Sequence, residues 1–205
     1  MQKDFHYCCV KYLALSAGLD EAEAQIVAYA SQYVDDATEH KGIRIEGLPE
    51  LVTRLDASRD DKLLVDGLFE PACTAHKNIQ YLTGLNKDVQ RKVYIPFHFA
   101  PPAVYGGAGP YDYRGEARGG LALELVRDAL SALGAANAAT GRLRALVRLG
   151  IALHTFADTW SHQRFSGRWS GPDNDIERIH VRVGDALEPI GFFKQLGYNL
   201  IPSVG

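Results

Sequence analysis

The stretch LGIALHTFADTWSH, residues 149–162, carries three side chains of the kind that bind metal ions. His154, Asp158 and His162 follow one another at intervals of four residues. At ~100° per residue of α-helix they lie within an arc of ~80° on one helix face. Imidazole and carboxylate ligands together suit zinc or another divalent transition metal. The spacing therefore predicts a helix over 140–163 that presents a metal-binding face.

The alternative interpretation of this stretch is a core helix whose polar groups are satisfied by hydrogen bonds. Unpaired Asp and His side chains are costly to bury, which favours the metal-binding interpretation. Gly150, one turn before His154, leaves room for another chain segment to approach the helix. Packing around the polar line is supplied by Leu146, Ile151, Leu153, Ala157 and Trp160.

A pair of adjacent carboxylates follows a strongly apolar helical pattern in SQYVDDATEH, residues 31–40. Because the like charges of Asp35 and Asp36 repel, a cation between them would be stabilising. Carboxylates at a helix C-terminus also oppose the helix dipole, which weakens the interpretation of a plain solvated helix end. Only one of two neighbours faces a given site. Asp36 is favoured as the ligand, with Asp35 as its rival, and both are candidate catalytic residues.

The whole chain has an ordinary globular composition of 205 residues, with 46% hydrophobic residues, 23% charged residues and a net charge of -3. This composition excludes a disordered or low-complexity chain and gives no basic nucleic-acid footprint. No apolar run reaches the ~20 residues of a membrane-spanning helix. No secretory signal is visible at the start, so a cytoplasmic protein is expected. The cysteines, expected to be buried or free thiols, are Cys8, Cys9 and Cys73.

Helical periodicity predicts an all-α fold, a multi-helix bundle with little or no sheet. Gly18 can end the first helix in a left-handed conformation, and Asp20 with Glu23 is close to a capping box for the second. Helices are predicted over 3–17, 21–38, 117–137 and 140–163, near 49–56, from 71 to about 82, and from 173 or 175 to 188.

Other parts of the chain are predicted to lack helix. Residues 92–99, KVYIPFHF, alternate in character but contain Pro96, which predicts an extended segment or edge strand. Residues 100–120 are rich in Pro and Gly and predict a long loop. We expect a single metal-binding domain over 1–188, followed by a tail of uncertain structure over 189–205.

Several strings of this sequence together resemble a known group of enzymes. The strings are SQYVDDAT (31–38), TAHKN (74–78), PFHF (96–99) and ALHTFADTWSHQ (152–163). They resemble the zinc-dependent phospholipase C and single-strand-specific zinc nuclease group, and more closely an uncharacterised bacterial branch of that α-helical fold. The resemblance covers most of residues 1–188.

The resemblance implies an α-helical bundle with one to three zinc ions, or other divalent transition metals, in an interior cleft. It assigns His154 and Asp158 to a ligand pair in which the Asp bridges two ions, with His162 on the second ion. Asp36 best matches an earlier bridging Asp. The mid-chain ligand and the ligand on the first helix are matched by His98 and His6.

The activity implied by the resemblance is metal-dependent hydrolysis of a phosphoester, with a small-molecule substrate. The chain departs from the group at one ligand pair, since Gly184 rather than Glu stands four residues after His180. This departure keeps a second hypothesis open, a metal-stabilised helical protein without hydrolase activity that acts as a binding or structural module. No role is assigned to His40, His76 or His180.

Overall fold

Helices make up most of the described part of this computed structural model, as the sequence predicts. It describes residues 3–39, 41–44, 64–65, 68–69, 71–75, 90–102, 113–167, 180–183 and 186–189. The helices are α1 (Val10–Ser16), α2 (Glu21–Asp36), α3 (Ile95–His98), α4 (Gly120–Ala135) and α5 (Ala139–Ser161). Two π-helical segments, Asp4–Cys9 and Gln90–Tyr94, lead directly into α1 and α3. Two short antiparallel pairs join β1 (Leu64–Val65) to β2 (Leu68–Phe69) and β3 (His180–Val183) to β4 (Ala186–Pro189).

The junction between α1 and α2 follows its predicted end signals. Gly18 has φ +93°, and the amides of Gly18 and Leu19 donate to the carbonyls of Leu15 and Ala14. This is the hydrogen-bond pattern of a Schellman motif, in which glycine adopts the left-handed conformation without strain. The carboxylate of Asp20 then accepts a hydrogen bond of 2.8 Å from the amide of Glu23 and caps α2.

The core lies between α5 and the two helices that pack against it, α2 and α4. Its buried apolar side chains come from α1, α2, α4 and α5. Burying one of the larger side chains, such as Val27 or Leu146, stabilises the fold by about 1.5–3 kcal/mol. The core members are Val10, Val27, Ala129, Leu133, Ala145, Leu146, Leu149 and Ala152.

Gly150 sets how closely α2 and α5 approach, as its position in the sequence predicts. A Cβ added there would lie 2.7 Å from the Cβ of Ala30 and 3.0 Å from the amide nitrogen of Ser31, and would also overlap the carbonyl oxygen of Val27. Any residue larger than glycine would therefore push the two helices apart. This close contact holds the backbone of α2 against the helix that carries His154 and Asp158.

Two predictions about local structure fail between residues 71 and 99. Residues 92–98 are helical rather than extended, and Pro96 lies in the first turn of α3, where its fixed backbone angle suits a helix. Residues 71–75 are not helical. The amides of Thr74 and Ala75 instead donate to the carbonyl of Ala37 at the end of α2.

The helix predicted up to residue 188 is also wrong, since β3 and β4 form a hairpin there in which His180 pairs with Pro189 and Val183 with Ala186. In the sequence, the alternating Val181 and Val183 and the Gly-Asp dipeptide after them are typical of a hairpin. The boundary drawn at 188 falls inside β4. The predicted helix near 49–56, His40, His76 and residues 190–205 lie outside the described residues. No helix in the described ranges has the length and apolar character needed to cross a bilayer.

Candidate metal centre

Four segments bring histidine and aspartate side chains to one buried point beside α5. His6 comes from the first π-helical segment, Asp35 from the last turn of α2, and His98 from the end of α3. His154 and Asp158 project from adjacent turns of α5. His162 is the residue that directly follows α5. The structure therefore brings together every predicted metal ligand except Asp36.

The carboxylate of Asp158 lies at the middle of the cluster and divides it into two sides. Its Oδ2 atom lies 3.0 Å from His98 Nδ1 and 3.2 Å from His154 Nε2. Its Oδ1 atom lies 3.2 Å from His6 Nε2 and 3.7 Å from His162 Nε2. Each oxygen of this one carboxylate therefore faces a different pair of imidazole nitrogens.

Asp35 lies across the same two sides, from the end of α2. Its Oδ1 atom is 3.7 Å from His154 Nε2 and 3.8 Å from His98 Nδ1, and its Oδ2 atom is 3.8 Å from His6 Nε2. Its side chain is 29% exposed, whereas that of Asp158 is 1% exposed. Asp35 is thus the carboxylate of the cluster that solvent reaches.

The preference for Asp36 over Asp35 is wrong. Asp36 is exposed, and its Oδ2 atom accepts a long hydrogen bond of 3.4 Å from the side-chain amide of Gln32. The reason is helical geometry, since one residue along α2 turns the side chain by ~100°. Both carboxylates lie in the last turn of α2, and the sequence does not encode which of them faces α5.

Backbone carbonyls determine which ring nitrogens of two histidines carry hydrogen. His154 Nδ1 lies 2.8 Å from the carbonyl oxygen of Ser31, and His98 Nε2 lies 2.9 Å from that of Thr74. Because a carbonyl only accepts, these nitrogens donate, and in the neutral rings the other nitrogens are bare. The bare atoms, His154 Nε2 and His98 Nδ1, lie 3.0 Å apart with Asp158 Oδ2 beside both. Three acceptors in mutual contact require a cation, which is either a proton or a metal ion.

His6 is buried against His154 without a hydrogen bond to anchor it. Its side chain is fully buried, and its ring stacks on that of His154 with centroids 3.9 Å apart. Neither ring nitrogen has a hydrogen-bond partner among the described residues. Burying an imidazole without such partners is costly, so a ligand for His6 Nε2 would offset that cost.

The protonation of the cluster follows from burial and from Asp158. Burial would raise the pKa of Asp158, but its contacts with His154, His6 and His98 hold that pKa well below the usual range. Burial, together with the nearby rings of His6 and His98, lowers the pKa of His154 despite the opposing effect of Asp158. Burial also opposes protonation of His98, but Asp158 outweighs it and the pKa of His98 is raised. Of these two rings, His98 is therefore the one that binds a proton more readily.

His162 differs from the other rings of the cluster. Burial is the main cause that lowers its pKa to about 4, so the ring is neutral near pH 7. It packs against the ring of Phe99, with centroids 4.5 Å apart. A neutral imidazole with Nε2 directed at Asp158 Oδ1 is in the protonation state that a metal ligand needs.

Two groups that shape the site are main-chain carbonyls, and the sequence does not predict them. The carbonyls of Ser31 and Thr74 orient His154 and His98, and any residue type supplies a carbonyl. One signal was nevertheless present. Gly150, one turn before His154, indicates a close approach by another segment, and that segment is the turn of α2 that ends at Ser31.

Comparison with known proteins identifies a family and no characterised relative. Residues 1–205 match the sequence profile of a family described as "Family of unknown function (DUF6765)". No curated protein matches the chain, and no solved structure does.

Proposed function

The chain belongs to this family of unknown function, DUF6765, and from the geometry of the buried cluster we propose that it is a metal-dependent hydrolase of phosphoesters, with zinc as its metal. One observation carries the proposal. The bare nitrogens of His154 and His98 and the Oδ2 atom of Asp158 lie 3.0–3.2 Å from one another, although all three are acceptors. A divalent cation among them would replace mutual repulsion by coordination.

The donor set fits zinc better than the other common biological cations. Imidazole nitrogens dominate the cluster, joined by carboxylate oxygens, and this mixture suits zinc, whereas calcium and magnesium prefer oxygen ligands. Two overlapping groups have ligand atoms within 4.8 Å of one another: His6 with Asp35 and His154, and His98 with His154 and Asp158. Because His154 has one bare nitrogen, it can serve one ion at a time.

The arrangement of the carboxylates favours a centre with two ions. The Oδ2 atom of Asp158 faces His98 and His154, while its Oδ1 atom faces His6 and His162. Asp35 offers one oxygen toward each of the same two sides. Carboxylates in this position can bridge two metal ions, as in enzymes that clamp the attacking and leaving oxygens of a phosphoester.

Solvent access at Asp35 favours catalysis over a purely structural site. A bound zinc ion would polarise a phosphoryl oxygen and lower the pKa of a coordinated water from 15.7 toward ~7. Asp35 is 29% exposed, and an oxygen of it that is not bound to metal would accept the proton of a water that enters from solvent. Asp158 and His154, which are buried, would keep the centre in place.

The second candidate function is a metal-stabilised helical protein without hydrolase activity. The observation that favours it is the burial of His6, His154 and Asp158, none of which is more than 1% exposed. A structural zinc site is closed by four protein ligands, whereas a catalytic site keeps a position open for water.

Metal analysis and phosphoester turnover distinguish the two candidates. Protein purified without chelator is assayed for metal content and for hydrolysis of bis(p-nitrophenyl) phosphate and p-nitrophenyl phosphate. The proposal expects bound zinc, with turnover of at least one ester that Asp35→Asn lowers by about 10²–10⁴-fold. Asp36→Asn is the matched control, because it makes the same change at the neighbouring exposed residue, and it should keep full turnover. Zinc without turnover would favour the structural role, and a protein that never retains a transition metal would refute both.

A further inference from the structure

Thr74 is a buried residue that contacts the chain on both sides of the candidate metal centre. Its hydroxyl donates a hydrogen bond of 2.6 Å to the carbonyl of Val34, and its amide donates one of 2.9 Å to the carbonyl of Ala37. Its own carbonyl accepts from His98 Nε2 at 2.9 Å. Thr74 thus links the end of α2 to the ring of His98.

The carbonyl that the Thr74 hydroxyl binds belongs to the turn that carries Asp35. Because α2 ends at Asp36, its last carbonyls lack partners in a following turn. The amide of Thr38, which would continue the helix to Val34, bonds to Asp36 instead. The hydroxyl of Thr74 therefore satisfies a buried carbonyl, directly beside Asp35, that would otherwise lack a donor among the described residues.

We propose that Thr74 is a positioning residue of the metal centre, whose hydroxyl fixes the separation between the α2 turn that carries Asp35 and the ring of His98. The inference rests on the proposed function, because the groups that Thr74 holds are two of the proposed ligands. The carbonyl of Thr74 selects the tautomer of His98 that leaves Nδ1 bare. The hydroxyl of Thr74, through its hydrogen bond to Val34, fixes the distance between that carbonyl and α2.

A separate hydrogen bond holds the backbone of α3 to α5. The contact that Thr74 makes between His98 and α2 can therefore be tested without detaching α3. The hydroxyl of Thr155 on α5 donates to the carbonyl of Phe97 at 2.9 Å, next to His98. With α3 held to α5, loss of the Thr74 hydroxyl should loosen the contact to α2 rather than release His98 altogether. The expected effect is a weaker and distorted metal site in a folded protein.

The test measures Zn²⁺ affinity by competition with a chromogenic chelator, and the visible absorption of the Co²⁺-substituted protein. Thr74→Val removes the hydroxyl and keeps the volume, and it should weaken Zn²⁺ binding about 10–100-fold and change the Co²⁺ spectrum. Thr74→Ser keeps the hydroxyl and should stay within about threefold of the parent protein, since the Thr74 hydrogen bonds are retained. Glu23→Gln is the matched control, because it removes a link between α2 and α5 through Arg142 that touches none of the proposed ligands.

The outcomes separate this inference from the function on which it rests. Parent protein without Zn²⁺ affinity would refute both. Parent protein that binds Zn²⁺, with Thr74→Val within threefold of it and an unchanged Co²⁺ spectrum, would overturn the role of Thr74 alone. A lower urea midpoint of metal-free Thr74→Val with unchanged affinity would assign the hydroxyl to structure and overturn the inference too. If Thr74→Val does not fold, Thr74→Ala against Thr74→Ser decides it, and failure of both hydroxyl-free variants to fold overturns it.

Discussion

The ring of His6 lies stacked on the ring of His154, with centroids 3.9 Å apart and planes 23° from parallel. The two residues come from the first helical turns of the chain and from its longest described helix. Two buried rings in this arrangement repel each other strongly if both are protonated. The pair therefore favours a state in which a shared cation, rather than two protons, lies at the cluster.

Metal affinity should fall as the pH is lowered. Metal ligands bind in their deprotonated form, so protons compete with Zn²⁺ for the histidines. The pKa of His98 is raised by Asp158 in the metal-free protein, so this competition begins above the usual histidine pKa of about 6.5. Chelator competition between about pH 8 and pH 5 should show an affinity that decreases at least tenfold per unit below that pKa. An affinity independent of pH would contradict histidine ligation.

The stability of the metal-free protein should depend on pH through His162. Burial holds the pKa of this ring at about 4, so the folded state binds fewer protons than the unfolded state between about 4 and 6.5. Stability contributed by the neutral ring is therefore present above about pH 6.5 and is lost as the pH falls toward 4. His162→Gln removes this titration, so its unfolding free energy in urea should depend less on pH than that of the parent. If the unfolding free energy changes with pH equally in His162→Gln and in the parent protein, the prediction is wrong.

Gly150→Ala should weaken both the fold and the metal centre. The added methyl group would overlap the α2 backbone at Val27 and lie 2.7 Å from the Cβ of Ala30. Overpacking of this kind costs about 1–3 kcal/mol of unfolding free energy, and separation of the helices lengthens the contact between His154 and Ser31. Urea unfolding and chelator competition measure the two effects.

Gly141→Ala is the matched control in the same helix. A Cβ at Gly141 meets nothing within 4 Å, so alanine should stabilise α5 by about 0.5–1 kcal/mol through its higher helix propensity. Zn²⁺ affinity should be unchanged in this variant. If Gly150→Ala and Gly141→Ala both destabilise the protein, the close contact at Gly150 is not the cause of the destabilisation.

Bound Zn²⁺ should raise the stability of the fold, because its proposed ligands come from four separate segments. Metal at 1,000 times its dissociation constant adds about 4 kcal/mol to the unfolding free energy, provided that the unfolded chain does not bind it. Thermal unfolding with and without a chelator should show the shift. Asp158→Asn should lose it, while Asp36→Asn should keep it. An equal melting temperature in both conditions would argue against ion binding at this cluster.

The sequence is most informative where side chains follow a regular period. The spacing of His154, Asp158 and His162 predicts a shared helix face, and all three lie at the cluster. Gly18 and Asp20 likewise predict the junction between α1 and α2, because both act through local backbone geometry.

The failures arise where tertiary contacts decide. The alternation of residues 92–99 predicts an extended segment, but a π-helical segment and α3 form there and bring His98 beside α5. The choice between Asp35 and Asp36 depends on how α2 is rotated against α5, which no local pattern encodes. The sequence also does not predict which carbonyls orient His154 and His98, because every residue type has a backbone carbonyl.

The 3.2 Å contact between His6 and Asp158 joins the first described helical segment to the last one. During synthesis on the ribosome, His6, Asp35 and His98 emerge well before the carboxylate of Asp158 does. A nascent chain therefore lacks part of the proposed donor set until α5 is released, and under the proposed function an ion could bind to the complete set only after that. Products truncated before α5 would lack the carboxylate of Asp158 and should not hold the proposed ion.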